Sequence, residues 1–145
     1  MKQRAIIVLA VSLAAAAGLI AGYAMARTGY PPLQLLLSTS TSVIGEELSY
    51  PGGKPKITAA IVTMKPNETT GWHRHDAPLV AWIIEGEVTI DYGPAGTKTF
   101  KAGQAFVEAF KSDHNGKNTS SGVTRILAVF AGADGVANTV MRTTK

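Results

Sequence analysis

The chain contains no cysteine among its 145 residues. This absence excludes disulfide bonds, thiolate catalysis, cysteine metal ligands and a lipid-modified cysteine anchor. A domain of this size must then be stabilised by its apolar core, with further stabilisation from a metal or a partner subunit. Any metal site has to use histidine, carboxylate, amide or water ligands.

Acidic residues are absent from the first 45 positions, whereas Lys2, Arg4 and Arg27 are basic. Removing these three from the fourteen basic residues leaves eleven after Arg27, against ten acidic residues, so the rest of the chain is nearly neutral. Its basic residues are scattered singly, which predicts no nucleic-acid-binding surface. The high isoelectric point is mainly an effect of the N-terminal segment.

The segment from Ala5 to Ala26 carries no charge and follows a short basic head. A basic head, an apolar stretch and the small-x-small triplet Ala24-Met25-Ala26 are typical of a secretory signal peptide. The stretch is also long enough to cross a bilayer as an uncleaved helical anchor, and a buried core helix is a third interpretation. We expect residues 1–26 to be a signal peptide or membrane anchor. The remainder is then expected in the periplasm or on the extracytoplasmic face of the inner membrane.

No segment after Gln34 shows a sustained apolar period of 3.6 residues, and the pattern instead indicates strands. Residues 27–42 are predicted to be a linker with a first edge strand at Leu35–Leu37, and residues 43–145 a β domain. Short β-rich runs separated by Gly, Pro and Asn indicate an all-β sandwich or barrel. The predicted strands are Ile57–Met64, Trp72–His75, Leu79–Ile84, Val88–Tyr92, Thr97–Phe100, Gln104–Phe110, Val123–Phe130 and Thr139–Arg142.

Histidine is scarce, and two of the three occur as His73-Arg74-His75. Residues i and i+2 of a strand point to the same face, so these imidazoles can converge on one ion. Gly71 allows a tight entry to the strand, and Asp76 is a candidate to orient one imidazole. Paired histidines also occur on solvated faces, so this motif alone does not establish a metal site.

The wider pattern resembles the two sequence motifs of the cupin family. The segment Gly71–His75 is followed by Gly86 in Ile83–Glu87, and Gly103 is followed eleven residues later by His114-Asn115-Gly116-Lys117-Asn118. The resemblance spans residues 71–118 and implies a double-sheet jelly-roll barrel, here preceded by one N-terminal hydrophobic helix. It also implies that His73, His75 and His114 bind a metal.

Two positions depart from the cupin pattern. Leu79 stands where the family has a glutamate ligand, which leaves three histidines, and Ala109 replaces the proline of the second motif. Glu108 lies among apolar neighbours, so it is either an outward-facing strand residue or a functional group. As a functional group it is a substitute ligand, a partner of a ligand or a general base, and we name it as the candidate catalytic residue.

Three neutral imidazoles suit Zn, Fe, Mn, Ni or Cu as a divalent metal ion, and the sequence does not choose among them. The main interpretation is a metal-dependent dioxygenase, isomerase or lyase acting on a small oxygenated organic substrate in the barrel. The alternative is a non-catalytic module that binds a small molecule or the metal, and a cupin that has lost its metal is a further one. Expected partners are a small-molecule ligand, the membrane if the N-terminal segment is uncleaved, and a second copy of the chain.

Three further residues are weaker candidates. Trp72 and Trp82 either line a ligand pocket or belong to the core, and the core is the commoner place for large aromatic residues in small barrels. Asn118 is predicted to brace the turn near His114.

Overall fold

The computed structural model describes residues 32–142. The predicted hydrophobic helix and the signal peptide or anchor of residues 1–26 lie outside the described residues. In the described part of the chain, no helix is long and apolar enough to cross a membrane.

Residues 32–142 form strands and one short 3₁₀ turn, Gly93–Ala95, without any α-helix. This confirms the all-β prediction. The strands are β1 Pro55–Met64, β2 His73–Arg74, β3 Leu79–Glu85, β4 Glu87–Asp91, β5 Thr97–Lys101, β6 Ala105–Val107, β7 Asn115–Asn118, β8 Thr124–Ala133 and β9 Val140–Met141.

The described strands pair in three antiparallel sheets. The largest has the order β1-β8-β3-β6, the second has the order β5-β4-β7, and β2 pairs with β9 alone. Alternate residues of β3 and β4 point inward, so the core lies between the two larger sheets. Its buried members include Ala81, Ile83, Val88, Ile90, Phe106 and Ile126.

The turn between β3 and β4 carries the chain from one large sheet to the other, and it requires glycine. Gly86 has φ +77°, and a Cβ atom there would lie only 2.7 Å from the backbone oxygen of Val123. Backbone conformation and close approach therefore both exclude a side chain at this position. The turn fixes how β4 lies against the start of β8.

Two details of the strand prediction are wrong. Residues 32–40 contain no strand, and the first bridge joins Thr41 to Glu47. Leu35 and Leu36 are exposed, so no neighbouring strand or core stabilises the expected edge strand there. The prediction also missed β7, whose sequence Asn-Gly-Lys-Asn has none of the apolar alternation that indicates a strand.

Candidate metal centre

Backbone pairing brings the three histidines together. In β2, His73 pairs with Met141 on one side. On its other side it exchanges two hydrogen bonds with His114, at 3.0 and 2.8 Å, so the two residues face each other directly. The backbone N–H of His75 donates to the oxygen of Phe110 at 3.0 Å, which ties this residue to the same connection between β6 and β7.

The imidazole rings converge as the sequence predicts. Their centroids lie 4.4 Å apart for His73 and His114, 4.9 Å for His73 and His75, and 5.1 Å for His75 and His114. One ring nitrogen from each histidine lies within 4.8 Å of the other two. Metal–nitrogen bonds of about 2.0–2.1 Å place two ligands of a tetrahedral ion about 3.4 Å apart, so the rings would have to approach one another slightly to share one ion.

Each imidazole is oriented by a backbone carbonyl. The Nδ1 atoms lie 2.8 Å from the oxygen of Gly71 for His73, 2.7 Å from that of Asn138 for His75 and 3.0 Å from that of Ser112 for His114. A carbonyl only accepts, so Nδ1 carries the proton and Nε2 keeps a free lone pair. The site therefore presents three Nε2 atoms in the tautomer that binds metals.

All three histidines are buried, and burial keeps them neutral. Burial lowers the pKa of His73 and His114 below the ordinary value, and it lowers the pKa of His75 to about 3. The Nε2 atom of His114 is also buried without a hydrogen-bond partner in the described part of the chain. Such an unpaired nitrogen is costly unless something binds it, and a metal ion would supply that partner.

The histidines line a cavity of about 210 Å³ with largely apolar walls. Leu79, the residue in place of the glutamate ligand, lines this cavity. Its other lining side chains are Val62, Thr70, Ala81, Val88, Ile90, Phe106, Glu108, Ile126, Ala128, Phe130, Thr139 and Met141.

Glu108 faces the cavity, so its interpretation as an outward-facing strand residue is wrong. It follows β6 on the same side as Phe106, and its side chain is only 5% exposed. One carboxylate oxygen accepts the backbone N–H of Ala109 at 2.8 Å, and the other lies 3.9 Å from Nε2 of His114. Burial raises the pKa of Glu108 to about 7. A catalytic role for Glu108 stays a prediction.

Tyr92 lies near Glu108 and His114, and the sequence pattern did not single it out. It is buried, and its ring centroid lies 5.9 Å from that of His114. Its hydroxyl has no hydrogen-bond partner among residues 32–142, and burial together with the nearby Glu108 raises its pKa. Extending the alternation of Val88 and Ile90 by two residues would have placed Tyr92 on the inner face.

The remaining candidates do not touch the imidazoles. The prediction for Asp76 is wrong, because this residue is exposed and pairs with Arg74 at 3.3 Å, while His75 bonds to a carbonyl instead. Asn118 is fully buried and braces other segments, since its Nδ2 donates to the oxygens of Met64 and Gly122. Trp72 and Trp82 are half-buried, and neither lines the cavity.

Comparison with known proteins agrees with this architecture. Residues 60–130 match the cupin domain family model. A search of curated proteins found no matching relative.

Several solved structures share the fold at low sequence identity. Oxalate decarboxylase from Lactobacillus farciminis, in its formate complex, is 22% identical with a TM-score of 0.52, over 59% of this chain and 26% of that one. The polyketide cyclase RemF from Streptomyces resistomycificus is 17% identical with a TM-score of 0.53, over 65% of both chains. A structure of DMSP lyases is 16% identical with a TM-score of 0.51, over 60% of this chain and 44% of that one.

These likenesses concern the fold alone, because identity is low and the match spans about a quarter of the oxalate decarboxylase chain. They agree with the arrangement of antiparallel sheets described above. Residues 60–130 therefore form a domain of the cupin fold.

Proposed function

We propose that this protein is a metal-dependent enzyme that binds one divalent ion through Nε2 of His73, His75 and His114 and acts on a small oxygenated organic molecule. The observation that carries the proposal is the convergence of three buried, neutral imidazoles whose Nδ1 atoms are all bonded to backbone carbonyls. Carbonyl-oriented imidazoles are a common arrangement in metal sites. Zn, Fe, Mn, Ni and Cu all suit this donor set.

Three parts of the chain would contribute to catalysis with the bound ion: the histidines, the apolar cavity walls and Glu108. A bound divalent ion supplies Lewis acidity, which polarises an oxygen of the substrate. The histidines would hold the ion, and the apolar walls would limit the water around the substrate. Glu108 lies 3.9 Å from Nε2 of His114 and has a pKa near neutrality, so it is suited to accept or donate a proton.

Metal analysis of the full chain, purified without added metal, tests the binding step. We expect about one ion per chain, and His75→Ala and His114→Ala should each lose most of it, because each removes one of three protein ligands. Asp76→Asn is the matched control, since it alters an exposed side chain next to His75 that does not contact the imidazole. Equal metal content in all four proteins would refute the proposed site.

The second candidate is a non-catalytic binding module, which the apolar cavity also suits. Turnover assays of the metal-loaded chain on dioxygen-dependent and hydrolytic substrates separate the two. Metal binding and ligand binding without turnover would favour the module.

We propose an extracytoplasmic location because residues 1–26 combine a basic head with an uncharged apolar stretch. A reporter fused after Lys145 should then be active only outside the cytoplasm. A mature protein that starts at Arg27 would identify a signal peptide, and retention of Met1 would identify an anchor. Reporter activity confined to the cytoplasm would contradict the proposed location.

A second copy of the chain is a further proposed partner. The edge strand β1 exposes Ile57 and Ile61 on the end of the largest sheet, and exposed apolar edge strands tend to pair. Sedimentation of the full chain, compared with Ile61→Lys, tests this proposal. A monomer at all concentrations would contradict it.

A further inference from the structure

We propose that the cavity selects a molecule with one oxygen-bearing end and a compact apolar body, in preference to a compact dicarboxylate. This inference rests on the proposed function, because it assigns the oxygen-bearing end to the ion at the three histidines. It adds the class of substrate to that function.

The composition of the cavity wall carries the inference. Among the described residues that line it, ten side chains are apolar, and none is lysine, arginine, asparagine or glutamine. Apart from the histidines, the polar side chains are Glu108 and the hydroxyl-bearing Thr70 and Thr139. The wall therefore has no cation to pair with a second carboxylate.

An apolar group of the wall lies directly against one imidazole. Leu79, Ala128 and Phe130 form a buried cluster, and the Phe130 ring meets the His75 ring edge-on with centroids 5.4 Å apart. Leu79 is the residue that stands where the cupin pattern has a charged ligand. The departure from the pattern thus places hydrocarbon beside the metal-binding nitrogens, where a substrate body would lie.

Two physical effects give this wall its preference. A carboxylate oxygen buried against hydrocarbon without a donor loses its hydration, which is unfavourable. An alkyl group at the same place leaves water and gains contact with the wall, which is favourable in proportion to the area buried. Both effects act in the same direction, so a clear difference in affinity follows.

Two probes with similar chelating heads measure this difference. Oxalate and 4-methyl-2-oxopentanoate each chelate through oxygens on two adjacent carbons, but the second carbon carries a further carboxylate oxygen in oxalate and a branched alkyl chain in the keto acid. Oxalate carries two negative charges and is the stronger chelator of a free divalent ion, so each affinity is expressed relative to that of the same probe for the free ion. On this scale, calorimetric titration of the full, metal-loaded chain should favour the keto acid by at least about tenfold. An equal or higher relative affinity for oxalate would overturn the inference.

A charge variant at the cavity wall checks the cause. Met141 lines the cavity and is 56% exposed, so Met141→Arg adds a cation at low risk to the fold. We expect it to reduce the preference for the keto acid severalfold, by strengthening oxalate binding, with metal content unchanged. Val123→Arg is the control, because Val123 is exposed and does not line the cavity. An equal shift in both variants would show a general charge effect and contradict the assignment.

The same titrations on metal-free protein separate this inference from the proposed function. If the parent chain binds no metal, the proposed function fails, yet a preference for the keto acid in the metal-free chain still supports the apolar wall. If metal binds and oxalate is preferred, the substrate class fails and the metal site stands.

Discussion

At the scale of single residues, Glu108 is deeply buried, and its carboxylate lies 3.9 Å from Nε2 of His114. Its oxygens do not belong to the group of donor atoms that lie within 4.8 Å of one another. We therefore expect Glu108→Gln to retain the metal content of the parent, as measured by elemental analysis. Loss of metal in this variant would instead make Glu108 a ligand or the support of one.

The raised pKa of Glu108 gives a second expectation, about stability. Its pKa of about 7 in the folded chain lies above the ordinary 4.5, so the folded state binds this proton more tightly than the unfolded state. Glu108 on its own would make the metal-free chain less stable as pH rises from about 4.5 to 7, whereas the three histidines, whose pKa burial lowers, act in the opposite direction. Thermal unfolding should therefore show Glu108→Gln gaining stability relative to the parent between pH 5 and pH 8, because only the parent carries this carboxyl group. Glu47→Gln, at an exposed carboxylate, should follow the parent.

The sequence left the position of Glu108 open for a physical reason. Alternation separates inner from outer residues only where one face of a strand is solvated. Phe106 to Phe110 are all buried, and the segment around Val43 lies beside them, because the backbone N–H of Val43 donates to the oxygen of Val107. The alternation within one strand cannot reveal burial by a segment that is distant in sequence.

Glu46 belongs to that covering segment and holds the loop before His114. Its carboxylate accepts hydrogen bonds from the backbone N–H groups of Phe110 and Lys111, at 3.0 and 3.2 Å, and from the hydroxyl of Ser112 at 2.9 Å. The hydroxyl of Ser42 donates a fourth, also at 2.9 Å. Because the oxygen of Ser112 accepts from Nδ1 of His114, Glu46 acts on the metal centre through this loop.

We expect Glu46→Gln to destabilise the chain at pH 7 by on the order of 1 kcal/mol, since an amide cannot accept all of these bonds. Partial burial on its own raises the pKa of Glu46, but the hydrogen bonds together outweigh it and the pKa is lowered. Its stabilising effect is therefore present above pH 4.5 and is lost as the pH falls below that value.

Denaturant unfolding should show the difference between parent and Glu46→Gln shrinking in acid. Titration with metal should show weaker binding by the variant, and Glu47→Gln is again the control. Unchanged metal affinity would mean that the loop keeps His114 in place without Glu46.

At the scale of elements, the short pair β2 and β9 holds one side of the metal centre. The oxygen of Asn138, just before β9, orients His75, and the N–H of Arg142 donates to the oxygen of Trp72 at 2.9 Å. A chain ending at Val136 lacks both contacts, whereas one ending at Arg142 keeps them. We expect the shorter chain to bind metal at least about tenfold more weakly, because partners of ligands typically contribute that much. Equal affinity of the two truncated chains would show that β9 does not support the site.

Element by element, the sequence predicted the long apolar strands well and the short polar ones poorly. Strands β3 and β8 are apolar runs in which alternate residues are buried, whereas β1 was predictable from its β-branched residues although most of it is exposed. Strand β7 has no such signal, because its backbone pairs with β4 and its residues 116 and 118 are buried by neighbours distant in sequence.

The histidine positions were predictable because the i, i+2 spacing and the family motifs are local features. Their carbonyl partners, Gly71, Asn138 and Ser112, depend on loop geometry and were not.

At the scale of the molecule, the metal centre joins segments that are far apart in sequence. His73 lies in β2, which pairs with β9, while His114 directly precedes β7 of a different sheet. An ion bound to both would add to the two backbone hydrogen bonds that already join these residues. Binding to the folded state alone raises the free energy of unfolding, by about 2.7 kcal/mol at a free metal concentration of 100 times Kd.

We therefore expect added Zn(II) to raise the unfolding temperature of the full chain by several degrees, and a variant with all three histidines replaced by alanine to show no shift. The effect should persist to lower pH than free imidazole would allow, because burial lowers the pKa of all three ligands and protons compete less with the metal. Metal content measured from pH 7 downward should thus stay high below pH 6.5, the ordinary histidine value, and fall only in stronger acid. Loss of metal centred at 6.5 would show that solvent reaches the imidazoles in the folded chain, and that the cavity does not protect them.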